Sequence, residues 1–150
     1  MIRLLRTSSE NQDFIELVKL LDAELAIRDG KDHSFYAQFN KIDNIKYAAV
    51  AYEDSRPVSC GAIKEYDSNT IEIKRMFTPS EKRGKGIAAM VLKELEAWAA
   101  DLSYKRCILE TGRKQSEAIA LYSKNGYKSI PNYGQYAGVE NSICFEKLIG

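Results

Sequence analysis

At 150 residues, with 45% apolar and 29% charged side chains, the chain has the size and composition of one globular domain, 1–150, able to bury a core without disulfides or metal. A net charge of +1 argues against a nucleic-acid binder driven by bulk electrostatics and leaves room only for local positive patches. No apolar run approaches the roughly 20 residues of a membrane span, and no signal-peptide pattern opens the chain, so a cytoplasmic protein is expected.

Arg3 to Thr7 reads as a first strand. Thr7 followed three residues later by Glu10 fits a helix capping box, and Phe14, Leu17, Val18, Leu21 and Leu25 recur at helical spacing up to Gly30. Lys31 to Asn40 fits either a short helix or an ordered loop. Lys46 to Tyr52 and Val58 to Tyr66 read as a hairpin around Asp54-Ser55-Arg56-Pro57, and Ile71 to Thr78 as the strand after a second turn. From Ala88, the positions Val91, Leu92, Leu95, Trp98 and Leu102 mark one face of a long helix. Arg106 to Glu110 is a predicted strand and Ser116 to Lys124 a helix stopped by Asn125-Gly126. Tyr127 to Ile130 and Ser142 to Glu146 close the chain as strands. Strands first, then strand–helix–strand–helix–strand, predicts an α+β (mixed α/β) domain: a mixed sheet with one parallel crossover and helices on both faces.

The most informative stretch runs from Ile71 to Ala88, where a strand passes through Pro79 into a basic, glycine-containing loop that opens straight into a helix. Backbone N–H groups at a helix start are free to bind an anion, and the helix dipole favours negative charge there. Gly84 and Gly86 remove side chains that would hold a phosphate off the backbone, and Lys82, Arg83 and Lys85 add positive charge. The segment therefore reads as a pyrophosphate cradle. The spacing of a nucleotide P-loop is absent. Gly84-Lys-Gly86-Ile-Ala-Ala89 formally satisfies a dinucleotide fingerprint, with Glu110 near the end of the next strand. That fold needs further strand–helix units than the remaining chain supplies, and an apolar strand where Lys74 and Arg75 stand. Cys60, Cys107 and Cys144 lie far apart and form neither a metal pair nor a disulfide framework, so buried thiols and no metal are expected.

Arg83-Gly84-Lys85-Gly86-Ile87-Ala88 resembles the Arg/Gln-x-x-Gly-x-Gly/Ala loop of the GNAT superfamily of acyl-CoA-dependent N-acyltransferases. Ala118-Ile119-Ala120-Leu121-Tyr122-Ser123-Lys124-Asn125-Gly126-Tyr127 resembles that family's Ala-x-x-Leu-Tyr-x-x-x-Gly-Phe/Tyr segment, one helix and one strand later. The resemblance implies a mixed, mostly antiparallel sheet of six to seven strands with about four helices, splayed at one parallel strand pair. It implies acetyl-CoA as cofactor, with pantetheine beside the strand ending Met76-Phe77-Thr78 and pyrophosphate on the amides from Arg83 to Ala88. Gln115, where the family often has Asn, together with Ala118, Tyr122 and Lys124, completes the implied cofactor set. Tyr122 occupies the family's general-acid position, and Glu72 lies where several members carry a glutamate base.

Acetyl transfer to an amine of pKa about 10.4 needs such a base, because only about one amine in 2,500 is neutral at pH 7, a deficit of roughly 4.6 kcal/mol. Glu110 is the second candidate base. Glu110, His33, Tyr36 and Tyr136, with Tyr133, are expected to line the acceptor pocket, since the family builds it from early helices and late loops. No cysteine lies in either motif, which favours direct attack in a ternary complex over a covalent intermediate. The expected partner is a small-molecule or peptide amine, with no nucleic acid and no membrane; a homodimer is the family's frequent habit. The alternative is a non-catalytic acyl-CoA-binding sensor or regulatory module.

Overall fold

The computed structural model describes residues 1–30 and 45–149. The helix or loop expected over 31–40, and with it His33 and Tyr36, lies outside the described residues. The elements are β1 (Ile2–Thr7), α1 (Gln12–Asp29), β2 (Tyr47–Glu53), β3 (Arg56–Asp67), β4 (Thr70–Phe77), α2 (Ile87–Asp101), β5 (Arg106–Gly112), α3 (Ser116–Lys124), β6 (Lys128–Ile130) and β7 (Ser142–Leu148). All seven strands join one sheet in the order β1-β2-β3-β4-β5-β7-β6. Among the described residues only β4 and β5 pair in parallel, joined by the α2 crossover that follows the glycine loop. The expected mixed sheet with one parallel pair is therefore present, with three α-helices among the described residues.

Alternation along the central strands separates two cores. On one face, Phe14, Leu17, Val18 and Leu21 of α1 pack on Ala48, Val50, Cys60, Ala62 and Phe77. On the other, Ile87, Val91, Leu92 and Leu95 of α2 pack on Ala49, Ala51, Ile63, Ile71, Ile73 and Leu109, and Tyr122 of α3 joins them. The β2–β3 hairpin turns on Asp54 and Ser55, at φ +49° and +74°, the paired left-handed geometry that matches strand twist.

The cap of α1 differs from expectation. Thr7 stays in β1 opposite Ala48, and the N-cap is Asn11, whose Oδ1 accepts from the Phe14 amide at 3.0 Å. The Glu10 amide instead donates to Ser8 Oγ at 3.2 Å. The Thr7 backbone is held in the β1–β2 ladder, so α1 begins after it and Asn11 supplies the cap.

One irregularity shapes the centre of the sheet. Cys60 faces Phe77 and Ala62 faces Lys74, so two steps on β3 match three on β4, and β4 bulges at Arg75-Met76. Arg75 adopts φ +59°, rare for a residue with a Cβ. Lys74 and Arg75 both turn toward the α1 face, where Lys74 reaches Glu72 and Arg75 pairs with Asp22 of α1. Met76 turns the other way and covers Gly61 of β3. A Cβ built on Gly61 would collide with the Met76 sulfur and lie 2.8 Å from Leu95 Cδ1.

Candidate active site

The parallel ladder between β4 and β5 is short: Thr70 pairs with Arg106, Ile71 with Cys107 and Glu72 with Ile108, and no further. β4 continues to Phe77 and β5 to Gly112, so the two strands diverge as the bulge bends β4 away. The gap forms a cavity of about 100 Å³. Glu72, Lys74, Arg75 and Met76 line it from β4, Glu110 to Gly112 from β5, and Gln115, Ala118 and Tyr122 from the α3 side. Leu21 and Leu25 of α1 and Tyr136 from the β6–β7 connection complete the wall.

At the end of β4 the chain makes a 3₁₀ turn over Ser80–Lys82 and then enters α2 through Gly84 and Gly86, at φ +78° and +80°. The Met90 amide donates to the Gly86 carbonyl at 3.2 Å, so the amides of Ile87, Ala88 and Ala89 have no acceptor within the helix. A Cβ built on Gly84 or Gly86 meets nothing within 4 Å, so the space before these amides is open. The first turn of α2 carries no acidic residue, and Ile87 anchors it in the core. Two of the three expected cations are engaged with the protein. Lys82 pairs with Glu53 at 2.6 Å. Arg83 donates from Nε to the Thr78 carbonyl at 2.7 Å and pairs with Glu24 of α1 at 2.8 Å and Glu117 of α3 at 3.4 Å. Arg28 bridges the same two glutamates at 3.2 and 3.6 Å, tying α1, the loop and α3 together. Lys85 is exposed.

Tyr122 owes its place to the way α3 ends. The Tyr127 amide donates to the Tyr122 carbonyl at 3.0 Å and the Gly126 amide to that of Ser123 at 3.5 Å, with Gly126 at φ +91°. This is a Schellman stop, and its customary apolar contact is the edge-to-face pair of Tyr122 and Tyr127, 5.8 Å between centroids. The Tyr122 ring is buried, yet it also lines the cleft. Burial, with Glu110 nearby, pushes its hydroxyl well above the usual tyrosine value.

Glu72 faces α1, opposite to Ile71 and Ile73 as alternation requires, but it is buried rather than solvated. It accepts from the Tyr133 hydroxyl at 2.7 Å and lies 3.7 Å from Lys74 Nζ, contacts that fix its orientation. Glu110 lines the same cavity, half-buried. Tyr133 and Tyr136 stack edge to face at 5.8 Å beside these carboxylates. Burial and then the two glutamates push the Tyr136 hydroxyl up, and burial with Glu72 does the same for Tyr133.

The remaining expected residues divide. Met76, Gln115 and Ala118 line the cleft. Phe77 belongs to the α1-side core, and Thr78 bonds Ser59 Oγ at 2.8 Å while its carbonyl accepts from Arg83. Lys124 is exposed at the end of α3, away from the cavity. Sequence reasoning missed Lys74, Arg75, Thr111 and Gly112 in the lining. For the first two a signal existed, two basic residues inside an otherwise apolar strand, but it counted only against a dinucleotide fold. Among the described residues no cluster of three His, Cys, Asp or Glu could hold a metal, and no helix is long and apolar enough to cross a membrane.

Comparison with known proteins agrees with this geometry. The profile of the acetyltransferase (GNAT) family matches residues 14–127. The uncharacterized N-acetyltransferase YsnE of Bacillus subtilis is 34% identical over 101 residues, covering 66% of this chain and 67% of its own. The IAA acetyltransferase of Azospirillum brasilense is 34% identical over 99 residues, covering 65% of each chain. This chain spans only 37% of human N-acetyltransferase 8, with 33% identity over 84 residues. A crystal structure from Klebsiella pneumoniae, named as a candidate acyl-CoA N-acyltransferase, superposes with a TM-score of 0.84 at 26% identity, covering 100% of this chain and 99% of its own. The PaiA N-acetyltransferase of Thermoplasma acidophilum, in complex with coenzyme A, shares the fold at a TM-score of 0.73 and 20% identity, over 99% of both chains. With a family profile over most of its length, a splayed parallel pair and a glycine loop opening a helix, the chain belongs to the GNAT family of N-acetyltransferases.

Proposed function

We propose that this protein binds acetyl-CoA in the gap between β4 and β5 and transfers its acetyl group to a primary amine by direct attack in a ternary complex. The observation that carries the reading is the end of the β4–β5 ladder at Glu72, which leaves an open gap between the two strands with Tyr122 in its wall. The residues present fit the cofactor: α2 offers unpaired amides, and the open space before Gly84 and Gly86 admits a phosphate. Those amides and Lys85 would hold the pyrophosphate, while Arg83 braces the loop from behind. Met76 and Gln115 would flank the pantetheine arm. Bound acetyl-CoA supplies an activated acetyl thioester.

The chain's own groups do the rest. Glu72, held by Tyr133 and Lys74, takes the proton from the incoming ammonium, directly or through water, and Glu110 adds negative charge that attracts it. Tyr122 keeps its proton on Oη and offers it as a hydrogen bond where negative charge develops on the departing sulfur. A hydroxyl raised this far is a poor proton donor, so its contribution is electrostatic. Three free, buried thiols support a reducing compartment, consistent with a cytoplasmic enzyme.

Calorimetric titration of the folded protein with acetyl-CoA tests the cradle. Gly86→Val puts a β-branched residue at φ +80° and a side chain in the phosphate's space. Binding should weaken at least about tenfold, equivalent to about 1.4 kcal/mol. An unchanged dissociation constant would remove the loop from the site.

A further inference from the structure

Arg75 is a charged residue of the cleft that the acetyl-transfer reading leaves without a task. Its side chain is 2% exposed, and it lines the cavity from the bulge of β4. One end of the guanidinium pairs with Asp22 of α1, which is itself half-exposed. The Nε–H has no partner at all, alone among the buried side-chain nitrogens and oxygens of the described residues. A buried donor left unpaired is destabilising, the more so when it belongs to a charged group. The backbone beneath it adds to this, because φ +59° is unfavourable for any residue with a Cβ. A strained backbone and an unsatisfied charged donor coincide on one residue of the cavity wall, which points to a ligand oxygen as the missing partner.

From this we infer that the amine acceptor carries a carboxylate and that Arg75 Nε receives it. The inference rests on the acetyl-transfer reading above and names its substrate class: small amino acids or close analogues. The charge pattern fits a zwitterion. Glu72 and Glu110 attract the ammonium on one side, while Arg75, with Lys74 beside it, faces the carboxylate. The Nε–H is a charged donor beside the Nη2 held by Asp22, and charged hydrogen bonds of this kind give both strength and orientation. With the carboxylate anchored at the bulge, the amine would sit one or two residues back along β4, toward Glu72.

The test compares matched acceptor pairs, each amino acid against its own carboxamide, with CoA thiol release as the readout. Acetyl-CoA binding is measured first by calorimetry. The wild-type protein should favour the acid over the amide in kcat/KM by about 10- to 100-fold. In Arg75→Lys, which keeps the charge but lacks Nε, and in Arg75→Gly, which suits the left-handed backbone, that preference should collapse toward unity with acetyl-CoA affinity retained. Arg75→Gly guards against misfolding, since glycine at φ +59° relieves strain. Turnover of both members of each pair at equal efficiency by wild type overturns the inference and leaves acetyl transfer standing. Loss of acetyl-CoA affinity in both variants also overturns it, because the donor would then serve the cofactor. A wild-type protein that does not bind acetyl-CoA overturns both readings.

Discussion

Tyr122 shows how one residue serves fold and chemistry together. Its ring packs against Tyr127 and Phe145 as part of the α2-side core, and the residue also lines the cleft. Removing only the oxygen separates the two roles. Tyr122→Phe should leave the melting temperature and acetyl-CoA affinity close to wild type and lower kcat by about 10- to 100-fold, the effect of a lost hydrogen bond to developing charge. Because the hydroxyl stays protonated well above pH 10, the ratio of wild-type to variant kcat should stay constant across pH 6 to 9. A ratio that changes with pH would mean that Tyr122 exchanges a proton in that range. Sequence placed Tyr122, Glu72, Glu110, Gln115 and Ala118 near the cleft because motif and strand alternation fix which way such residues point. It could not place Arg75, since side-chain direction at a bulge depends on an extra residue that only the pairing with β3 reveals. Nor could it show that Lys82 and Arg83 are already paired, because Glu53, Glu24 and Glu117 come from distant parts of the chain.

At the scale of elements, type and order are legible throughout and ends only where a local stop or turn signal marks them. α2 announces itself by buried positions at helical spacing, Ile87, Val91, Leu92, Leu95 and Ala99, and the stop of α3 by Asn125-Gly126. At the start of α1 the capping-box spacing points upstream of the observed cap, Asn11. Thr7 and Glu10 satisfy the capping-box spacing, but β1 claims Thr7 first. This difference is measurable. Asn11→Ala removes the acceptor for the Phe14 amide and should cost about 1 kcal/mol of stability, whereas Thr7→Ser and Glu10→Ala should be close to neutral. Equal losses for Asn11→Ala and Glu10→Ala in chemical denaturation would return the cap to the upstream pair. The cap also matters for the site, since α1 carries Leu21 and Leu25 into the cavity wall and Asp22 and Glu24 onto Arg75 and Arg83.

Across the whole molecule, the two cores on opposite faces of the sheet hold thiols and phenols that must remain neutral. Cys60 lies in the α1-side core, Cys107 in the α2-side core and Cys144 beside Tyr136. Burial pushes Cys60 and Cys107 up to about 12 and Cys144 up to about 11, against ordinary thiols near 8.5 to 9. Above pH 9 the unfolded chain releases these protons while the folded one keeps them, so the unfolded state binds fewer protons and stability falls as pH rises. Each thiol contributes a slope of about 1.4 kcal/mol per pH unit over its window, and buried tyrosines join above pH 10. The melting temperature should therefore be flat from pH 7 to 8.5, then fall steeply between pH 9 and 11. Cys60→Ser would blunt that fall only if its hydroxyl is tolerated in the core, so Cys60→Ala is the cleaner variant. It should lower stability at pH 7 through the lost volume, yet reduce the alkaline slope by about one third of the thiol contribution between pH 9 and 11. An unaltered slope in Cys60→Ala would show that the Cys60 thiol takes no part in alkaline unfolding.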